Sequence, residues 1–202
     1  MSKSSHEETH HAEQGQPVKT RVPRSLFVLI LLLLAGMYWY AAYGDTPPPE
    51  KTVQTFYQAY FAGDYETVAD NLSVFWSVRF LPQYADLSPS ELLAQRTQVV
   101  SDITGVISDI ESQNAPPQGV KINIKKPYTK VGKTSAVVVY EFVEQGQPTS
   151  MEAAILIMEK GKYRIFNLST VDESVLSDIK NLDMNVLDQN FDELLSSQPS
   201  AE

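Results

Sequence analysis

Tyrosine and carboxylate side chains are the groups through which this chain could carry out acid–base chemistry. A carboxyl group in an apolar pocket can be tuned as an acid or a base, and a phenol can donate a hydrogen bond to a developing oxyanion. The residues that could line such a pocket are Tyr57, Tyr60, Arg79, Tyr84, Asp86, Tyr140 and Glu141. Arg79 is included because its guanidinium could bind an anionic ligand, and a structural ion pair is the alternative interpretation.

The other candidates also have structural interpretations. Tyr57 and Tyr60 are spaced like core residues of a helix with their hydroxyls at the rim. Glu141 fits a solvated strand face. The sequence contains no Ser, Thr or Lys nucleophile motif and no Gly-rich phosphate loop. We therefore assign no catalytic residue and no cofactor, and a role other than catalysis is favoured.

Composition excludes several further chemistries. The chain has 202 residues and no Cys, which removes thiol nucleophiles and disulfides. Its only histidines are His6, His10 and His11, all in a polar N-terminal stretch, so we predict no metal site. The net charge of −9 argues against nucleic acid as a partner, because that binding depends on neutralising phosphates.

A run of lysines interrupts the acidic body of the chain: Lys121, Lys125, Lys126, Lys130 and Lys133. Alternation places Lys121 and Lys125 on one strand face, where they would discourage unwanted pairing at an exposed edge. The alternative is an electrostatic contact with an acidic protein, or with a phosphate-bearing polymer or lipid. The run is our first candidate for a partner surface.

Apolar residues near the C-terminus are the second candidate. Leu187, Phe191 and Leu194 share one stripe of a predicted acidic helix. This stripe is expected to dock on the domain or on a copy of itself, and the acidic helix could also be the partner of the lysine run. We accordingly expect a protein partner or a homo-oligomer.

An uncharged apolar run extends from Leu26 to Tyr43 and is long enough to cross a bilayer. Residues 25–44 are therefore predicted to be a transmembrane helix in contact with lipid, and cleavage near Ala42 as a signal peptide is the alternative. Three basic residues precede the run: Lys19, Arg21 and Arg24. The positive-inside rule then predicts a single-pass protein of the cell membrane, with a cytoplasmic N-terminus and an extracytoplasmic C-terminal domain.

Helical periodicity dominates the first half of the predicted domain, residues 50–171. Its apolar positions begin with Val53, Phe56, Tyr57, Tyr60 and Phe61. A second short helix follows Gly63 and Asp64, and a capping box at Ser88 and Glu91 starts a third, long helix over 89–113. The run from Val74 to Leu81 is too short to assign.

Period-two alternation then indicates four strands in an antiparallel meander, over residues 120–125, 134–144, 150–159 and 162–171. Residues 172–196 form an acidic amphipathic helical extension with a break near Asn181 to Asn185. Three flanking segments complete the organisation: a disordered cytoplasmic tail (1–24), a Pro-rich linker (45–49) and a loose tail (197–202). The predicted fold class is α+β, with one N-terminal transmembrane helix, three helices packed on a curved antiparallel sheet of about four strands, and the C-terminal extension.

This order of elements, opened by FYQAYFAGDYETVADNLS from Phe56 to Ser73, resembles the nuclear transport factor 2-like superfamily of cone-shaped α+β domains. The resemblance covers about residues 50–171. It implies a cone with an internal pocket, in a superfamily that contains enzymes, ligand binders and scaffolds. Its ketosteroid-isomerase-like enzymes resemble one another in a pocket carboxylate base with Tyr and acid donors, and no such trio aligns with this sequence.

The leading hypothesis is a membrane-anchored extracytoplasmic binding or scaffold module of a bacterial cell envelope. One alternative is an envelope enzyme or small-ligand carrier that uses the cone pocket. Another is an assembly component of type IV secretion or conjugation machines, whose layout the chain resembles. A deep cavity with convergent polar groups would favour a ligand, whereas a filled cone with an exposed apolar stripe on the C-terminal helix would favour a protein partner.

Overall fold

The computed structural model describes residues 30–34, 48–113 and 116–196. The chain divides into two units, residues 1–44 and 45–202. In the first unit the described residues are 30–34, which are helical and have exposed side chains. The predicted tail segments and His6, His10 and His11 lie outside the described residues.

The membrane helix of the predicted fold class is not found. Across the described ranges 30–34, 48–113 and 116–196, no helix combines the length and apolar composition that a bilayer crossing requires. The prediction of one transmembrane helix is therefore corrected, and the rest of residues 25–44 lies outside the described part of the chain.

Two helices open the second unit. Helix α1 (Pro49–Ala62) has Pro at its first position and ends at Gly63, which adopts a left-handed conformation with φ of 72°. Asp64 then accepts a hydrogen bond from the backbone N–H of Thr67 and begins helix α2 (Tyr65–Asn71). Gly at the end of one helix and Asp before the next account for this turn, since Gly tolerates positive φ and Asp caps free amides.

The next segment is also helical. Helix α3 (Val74–Ser77) continues into a 3₁₀ turn (Val78–Phe80), in the run that the sequence left unassigned. The capping box at Ser88 and Glu91 is present and starts helix α4 (Pro89–Ala94), after which helix α5 spans Arg96–Glu111. Gln95 separates these two helices, so the single long helix predicted over 89–113 is wrong.

The sheet has five antiparallel strands, one more than predicted: β1 (Val120–Ile124), β2 (Lys130–Val131), β3 (Ser135–Glu144), β4 (Gln147–Glu159) and β5 (Lys162–Thr170). Their order is β1-β3-β4-β5, and β2 pairs with β3 beyond the end of β1. The short β2 was missed because two residues are too few to show alternation.

The two faces of the sheet are covered by different helices. One face carries Ala136, Val138 and Tyr140 and packs against α1 and α2. The opposite face carries Val137, Val139 and Ala153. Because alternate strand residues point to opposite faces, β3 contributes to both cores and reads as a nearly continuous apolar run.

The C-terminal extension covers the second face. Helix α6 (Leu176–Asn181) and helix α7 (Met184–Ser196) are separated near the predicted break. The apolar residues of both helices pack on Val137 and Val139 of β3. These helix residues are Leu176, Ile179, Met184 and Leu187. The extension is thus a third layer of the domain, which is why its stripe is apolar.

Candidate functional site

A cluster of two tyrosines and one carboxylate lies between α1 and the sheet. The Tyr57 hydroxyl is 2.8 Å from the Tyr140 hydroxyl, and both contact Oε2 of Glu152, at 3.0 Å and 2.6 Å. Tyr57 comes from α1, Tyr140 from β3 and Glu152 from β4. Tyr140 is directly opposite Glu152 in the sheet register, so neighbouring strands set this pair.

Hydrogen-bond capacity limits what this cluster can do. Each phenol has one proton, and an ionised carboxylate only accepts, so two protons serve three contacts. Burial is the main cause that raises the pKa of Tyr57 and Tyr140 above 10, and the charge of Glu152 adds to it. Both phenols therefore remain donors at neutral pH and are occupied by Glu152 and by each other.

The cluster is surrounded by aromatic side chains. The ring of Tyr57 lies edge-on to Phe56 at 4.9 Å and to Phe142 at 5.1 Å. Tyr140 has no exposed surface, and Tyr57 is 7% exposed. The two phenols and the aromatic rings around them are thus part of the buried core between the helices and the sheet.

A groove runs along the outside of this interior, between α1 and β1. It consists of two adjoining clefts of about 590 and 450 Å³ that share Gln54 and Gln58 of α1. Ile122 lines one cleft and Ile124 the other. Tyr57 reaches the wall of the larger cleft, which connects the groove to the tyrosine cluster.

No family model, curated protein or solved structure matches the chain. The resemblance to nuclear transport factor 2-like domains accordingly stays a prediction, drawn from the order of the elements.

The structure separates most of the predicted pocket residues. Tyr60 donates to Oε1 of Glu111 at 3.3 Å, and Tyr84 donates to Oδ2 of Asp102 at 2.7 Å. Both acceptors lie on α5. Arg79 and Asp86 are exposed. Among the described residues Arg79 forms no ion pair, so the structural ion pair given as its alternative interpretation is not seen there.

Glu141 lies on the opposite face of β3 from Tyr140. It forms an ion pair with Lys125, just past the end of β1, and accepts a 2.7 Å hydrogen bond from Asn123 on β1. Hydrogen bonds from Lys125 and then Asn123 hold the pKa of Glu141 below its ordinary value. Of the predicted set, only Tyr57 and Tyr140 are brought together, and they meet Glu152, which was not predicted.

Glu152 was missed although the sequence contains a signal for it. Alternation along β4 places Glu152 on the same face as Ala154 and Leu156, which are core residues. An acidic residue on a core face requires a buried partner. The identity of that partner depends on strand order and on the position of α1, which the local sequence does not encode.

A second cluster of charges was also missed, in which Glu159 and Arg164 are buried and Asp70 is exposed. Glu159 accepts from Arg96 and from the Ser73 hydroxyl, both at 2.6 Å. Asp70 accepts from Arg164 at 3.0 Å and from Arg96 at 3.3 Å. Burial raises the pKa of Glu159, and its bonds to Ser73 and the Arg96 charge oppose that rise. Because every charge is paired, this cluster fits a structural connection between α2, α5 and the end of β4.

A third buried carboxylate, Asp188, attaches α7 to the sheet. Its oxygens accept from the backbone N–H groups of Lys133 at 2.7 Å and Thr134 at 3.0 Å, and from the Ser135 hydroxyl at 2.6 Å. Burial acts to raise the pKa of Asp188, but these hydrogen bonds outweigh it and lower the pKa. Phe191, one turn further along α7, adds an apolar contact with Phe166 to the same attachment.

The predicted partner residues divide between buried and exposed positions. Phe191 is 4% exposed and contacts Phe166, while Leu187 and Leu194 are partly buried. Lys130 donates to the carbonyl oxygen of Lys180 at the end of α6, at 2.8 Å. The stripe therefore docks within its own chain, and the lysine run touches the acidic extension at this position.

The remaining lysines of the run behave differently from one another. Lys125 is paired with Glu141, whereas Lys121, Lys126 and Lys133 are exposed. Lys121 lines the larger cleft of the groove and Lys126 the smaller one. Part of the predicted basic surface thus lies along the groove.

Proposed function

We propose that residues 48–196 form a protein-binding or scaffold module that does not act by catalysis. The observation that supports this most directly is the burial of the tyrosine cluster and the hydrogen bonding of its hydroxyls. Tyr140 is fully buried, and its hydroxyl is bonded to Tyr57 and Glu152. A group that is packed and hydrogen-bonded in this way has no free donor for a substrate atom.

Surface features give this proposal its second support. Val186 on α7 is 59% exposed and Leu182, between α6 and α7, is 40% exposed, although their neighbours are docked on the sheet. The groove between α1 and β1 adds an elongated concave surface. Exposed apolar side chains and grooves of this kind are typical of binding surfaces.

Copurification of the full chain after crosslinking in its native cells tests the proposal. We expect a specific partner or a homo-oligomer to be recovered. The Tyr140→Phe variant is the matched control, because the hydroxyl is inaccessible and its loss leaves the outer surface unchanged. Recovery of neither a partner nor an oligomer would contradict a binding module.

The alternative, a small-ligand carrier, has one observation in its favour, since Tyr57 reaches the wall of the larger cleft. Under that alternative, a ligand would engage the Tyr57 hydroxyl in competition with Glu152. Tyr140→Phe would then shift ligand affinity by altering the shared hydrogen bonds, while partner recovery would stay the same. The assembly-component version of the hypothesis is distinguished by the identity of the recovered partners.

A further inference from the structure

Strand β1 has a free edge within the described residues. It pairs with β3 on one side, and no other strand lies beyond it in the sheet order. The N–H of Lys125, just past β1, bonds to the carbonyl oxygen of Val139, at 2.8 Å. Because antiparallel residues alternate between bonded and non-bonded pairs, the backbone groups of Val120, Ile122 and Ile124 point away from β3.

The groove lies directly beside this edge. Its floor includes the side chains of Ile122 and Ile124, and its far wall is the exposed side of α1 at Gln54 and Gln58. A strand added to β1 would place every second side chain in the groove. The alternate side chains would lie on the sheet face that carries Lys121.

The charge along the groove is opposite to that of the chain as a whole. Lys51, Lys121 and Lys126 are exposed at its margins and form no ion pair among the described residues. Glu50 is the carboxylate that lines the same groove. Three ammonium groups against one carboxylate, in a chain with a net charge of −9, mark this edge as a local positive region.

We propose that an extended acidic segment of a partner protein binds here as an added strand on β1. Main-chain hydrogen bonds to Ile122 and Ile124 provide the affinity, and the lysines select for acidic side chains. This inference rests on the proposed protein-binding function and names the chemistry of the partner.

Lysines on an edge strand can instead prevent pairing, which was the simpler interpretation of the run. Protected edges are usually also blocked by proline, a bulge or a covering element. Residues 120–124 contain no proline, their register with β3 is continuous, and the adjoining surface is a groove. A second copy of the chain is a less suitable occupant, because two strongly acidic molecules repel each other.

The test uses a labelled peptide of about seven residues that alternates Glu and Val, with a Lys–Val peptide as the control. Binding to the full chain is followed by fluorescence anisotropy. We expect the acidic peptide to bind with a Kd below about 1 mM and the basic peptide to bind at least about tenfold more weakly. Hydrogen exchange at the amides of Ile122 and Ile124 should slow when the acidic peptide is bound.

The key variant is Ile122→Pro, which removes an outward N–H without removing a β1–β3 hydrogen bond. We expect it to weaken peptide binding at least about tenfold. Ile122→Val is the matched control, because it keeps the N–H and an apolar side chain. Equal binding by the Pro and Val variants would overturn the inference.

Charge reversal supplies a second test that does not depend on backbone changes. Lys121→Glu and Lys126→Glu should each weaken binding roughly three- to tenfold. Lys162→Glu, on the opposite edge strand β5, changes the net charge equally and should leave binding within about twofold. An equal effect of all three substitutions would contradict a local acidic-strand site.

Two outcomes separate this inference from the proposed function. If crosslinking recovers a partner equally well with Ile122→Pro, the chain is a binding module but β1 is not its site. If the acidic peptide binds while no partner or oligomer is recovered, the site exists and the proposed function fails. A dimer that is lost in Ile122→Pro, with no peptide binding, would identify a second copy as the occupant and overturn the acidic segment.

Discussion

Individual polar groups inside this domain are held by partners from distant parts of the chain. The oxygen Oε2 of Glu152 receives both Tyr57 and Tyr140, so the two phenols share one acceptor. Glu159 has Arg96 and Ser73 as its partners. Such groups are tolerated in a core because each of them has a hydrogen-bond partner there.

The shared acceptor leads to a non-additive pair of substitutions. Tyr140→Phe and Tyr57→Phe should each lower the free energy of unfolding by about 1–2 kcal/mol, since Glu152 retains one phenol in either variant. The double variant should cost more than the sum, because Glu152 then loses both donors. Urea denaturation of the four proteins measures this, and strict additivity would show that the contacts are not coupled.

The pair of Arg96 and Glu159 predicts a pH effect. Arg96→Met should destabilise the domain by about 3–5 kcal/mol at pH 7, because it leaves a buried carboxylate without its charged partner. The folded pKa of Glu159 lies above its ordinary value, and loss of Arg96 raises it further. A carboxyl group whose pKa is raised by folding favours the folded state in its protonated form. Its contribution to the free energy of unfolding is therefore present at low pH and is lost as the pH rises through the folded pKa.

The loss in free energy of unfolding caused by Arg96→Met should therefore become smaller as the pH is lowered from 7 toward 5. The double variant Arg96→Met, Glu159→Gln is its control, because Gln cannot ionise. In that variant the pH-dependent part of the deficit should disappear, and a deficit that stays constant with pH in both proteins would contradict this assignment of charge.

At the scale of elements, helix α7 of the C-terminal extension is attached by both polar and apolar contacts. Asp188 caps the turn between β2 and β3, and Phe191 packs against Phe166. Together they hold α7 over a sheet face that would otherwise be exposed. The extension is thus the element whose detachment is easiest to test.

Gly132 allows the close approach of Asp188. A Cβ at position 132 would lie 2.5 Å from Oδ1 and 2.6 Å from Oδ2 of Asp188, which is far inside van der Waals contact. Gly132→Ala should therefore displace the carboxylate and loosen α7, with a loss of about 1–3 kcal/mol. Limited proteolysis and hydrogen exchange in residues 184–196 would report the loosening.

Gly105→Ala is the matched control for this substitution. Gly105 lies in α5, and a Cβ there meets no atom within 4 Å. Since Ala is the better helix former, this variant should gain about 0.5–1 kcal/mol. If Gly132→Ala were equally stabilising, the close approach of Asp188 would not matter for the attachment of α7.

The lowered pKa of Asp188 makes the attachment sensitive to acid. The pKa of Asp188 is lower in the folded protein than in the unfolded chain, where it is about 3.9. The ionised carboxylate therefore stabilises the fold above that pH, and this contribution is lost as the pH falls through the folded pKa. Hydrogen exchange in α7 should accelerate below about pH 4. Asp188→Asn should raise exchange at neutral pH and flatten its acid dependence, whereas an unchanged profile in that variant would assign the acid effect to another group.

At the scale of the whole molecule, the predicted location can be tested independently of the fold. Lys19, Arg21 and Arg24 lie outside the described residues, so an extracytoplasmic domain stays a prediction drawn from their charge. Protease treatment of intact cells, followed by detection of residues 48–196, measures it. Digestion only after lysis would contradict that location, and a cytoplasmic protein of similar stability provides the control.

The sequence by itself determined the elements whose causes lie within a few residues. The capping box of Ser88 and Glu91, the turn at Gly63 and Asp64, and the alternation of β1 are local, so the corresponding helix starts and strand could be predicted. The predicted long helix over 89–113 and the membrane helix were wrong. In the first case helical periodicity was extended across Gln95, where the chain turns between two helices. In the second case the prediction rested on the length of an uncharged apolar run, and no helix of the described ranges combines that length with that composition.

Only the tertiary structure decided which polar side chains meet. Tyr57 and Tyr140 were candidates separately, but their position beside Glu152 depends on the pairing of β3 with β4 and on where α1 crosses the sheet. The contact of Asp188 with the β2–β3 turn likewise joins residues more than fifty positions apart. The physical reason is that periodicity determines which face a residue takes, whereas its neighbour across that face is set by packing of the whole chain.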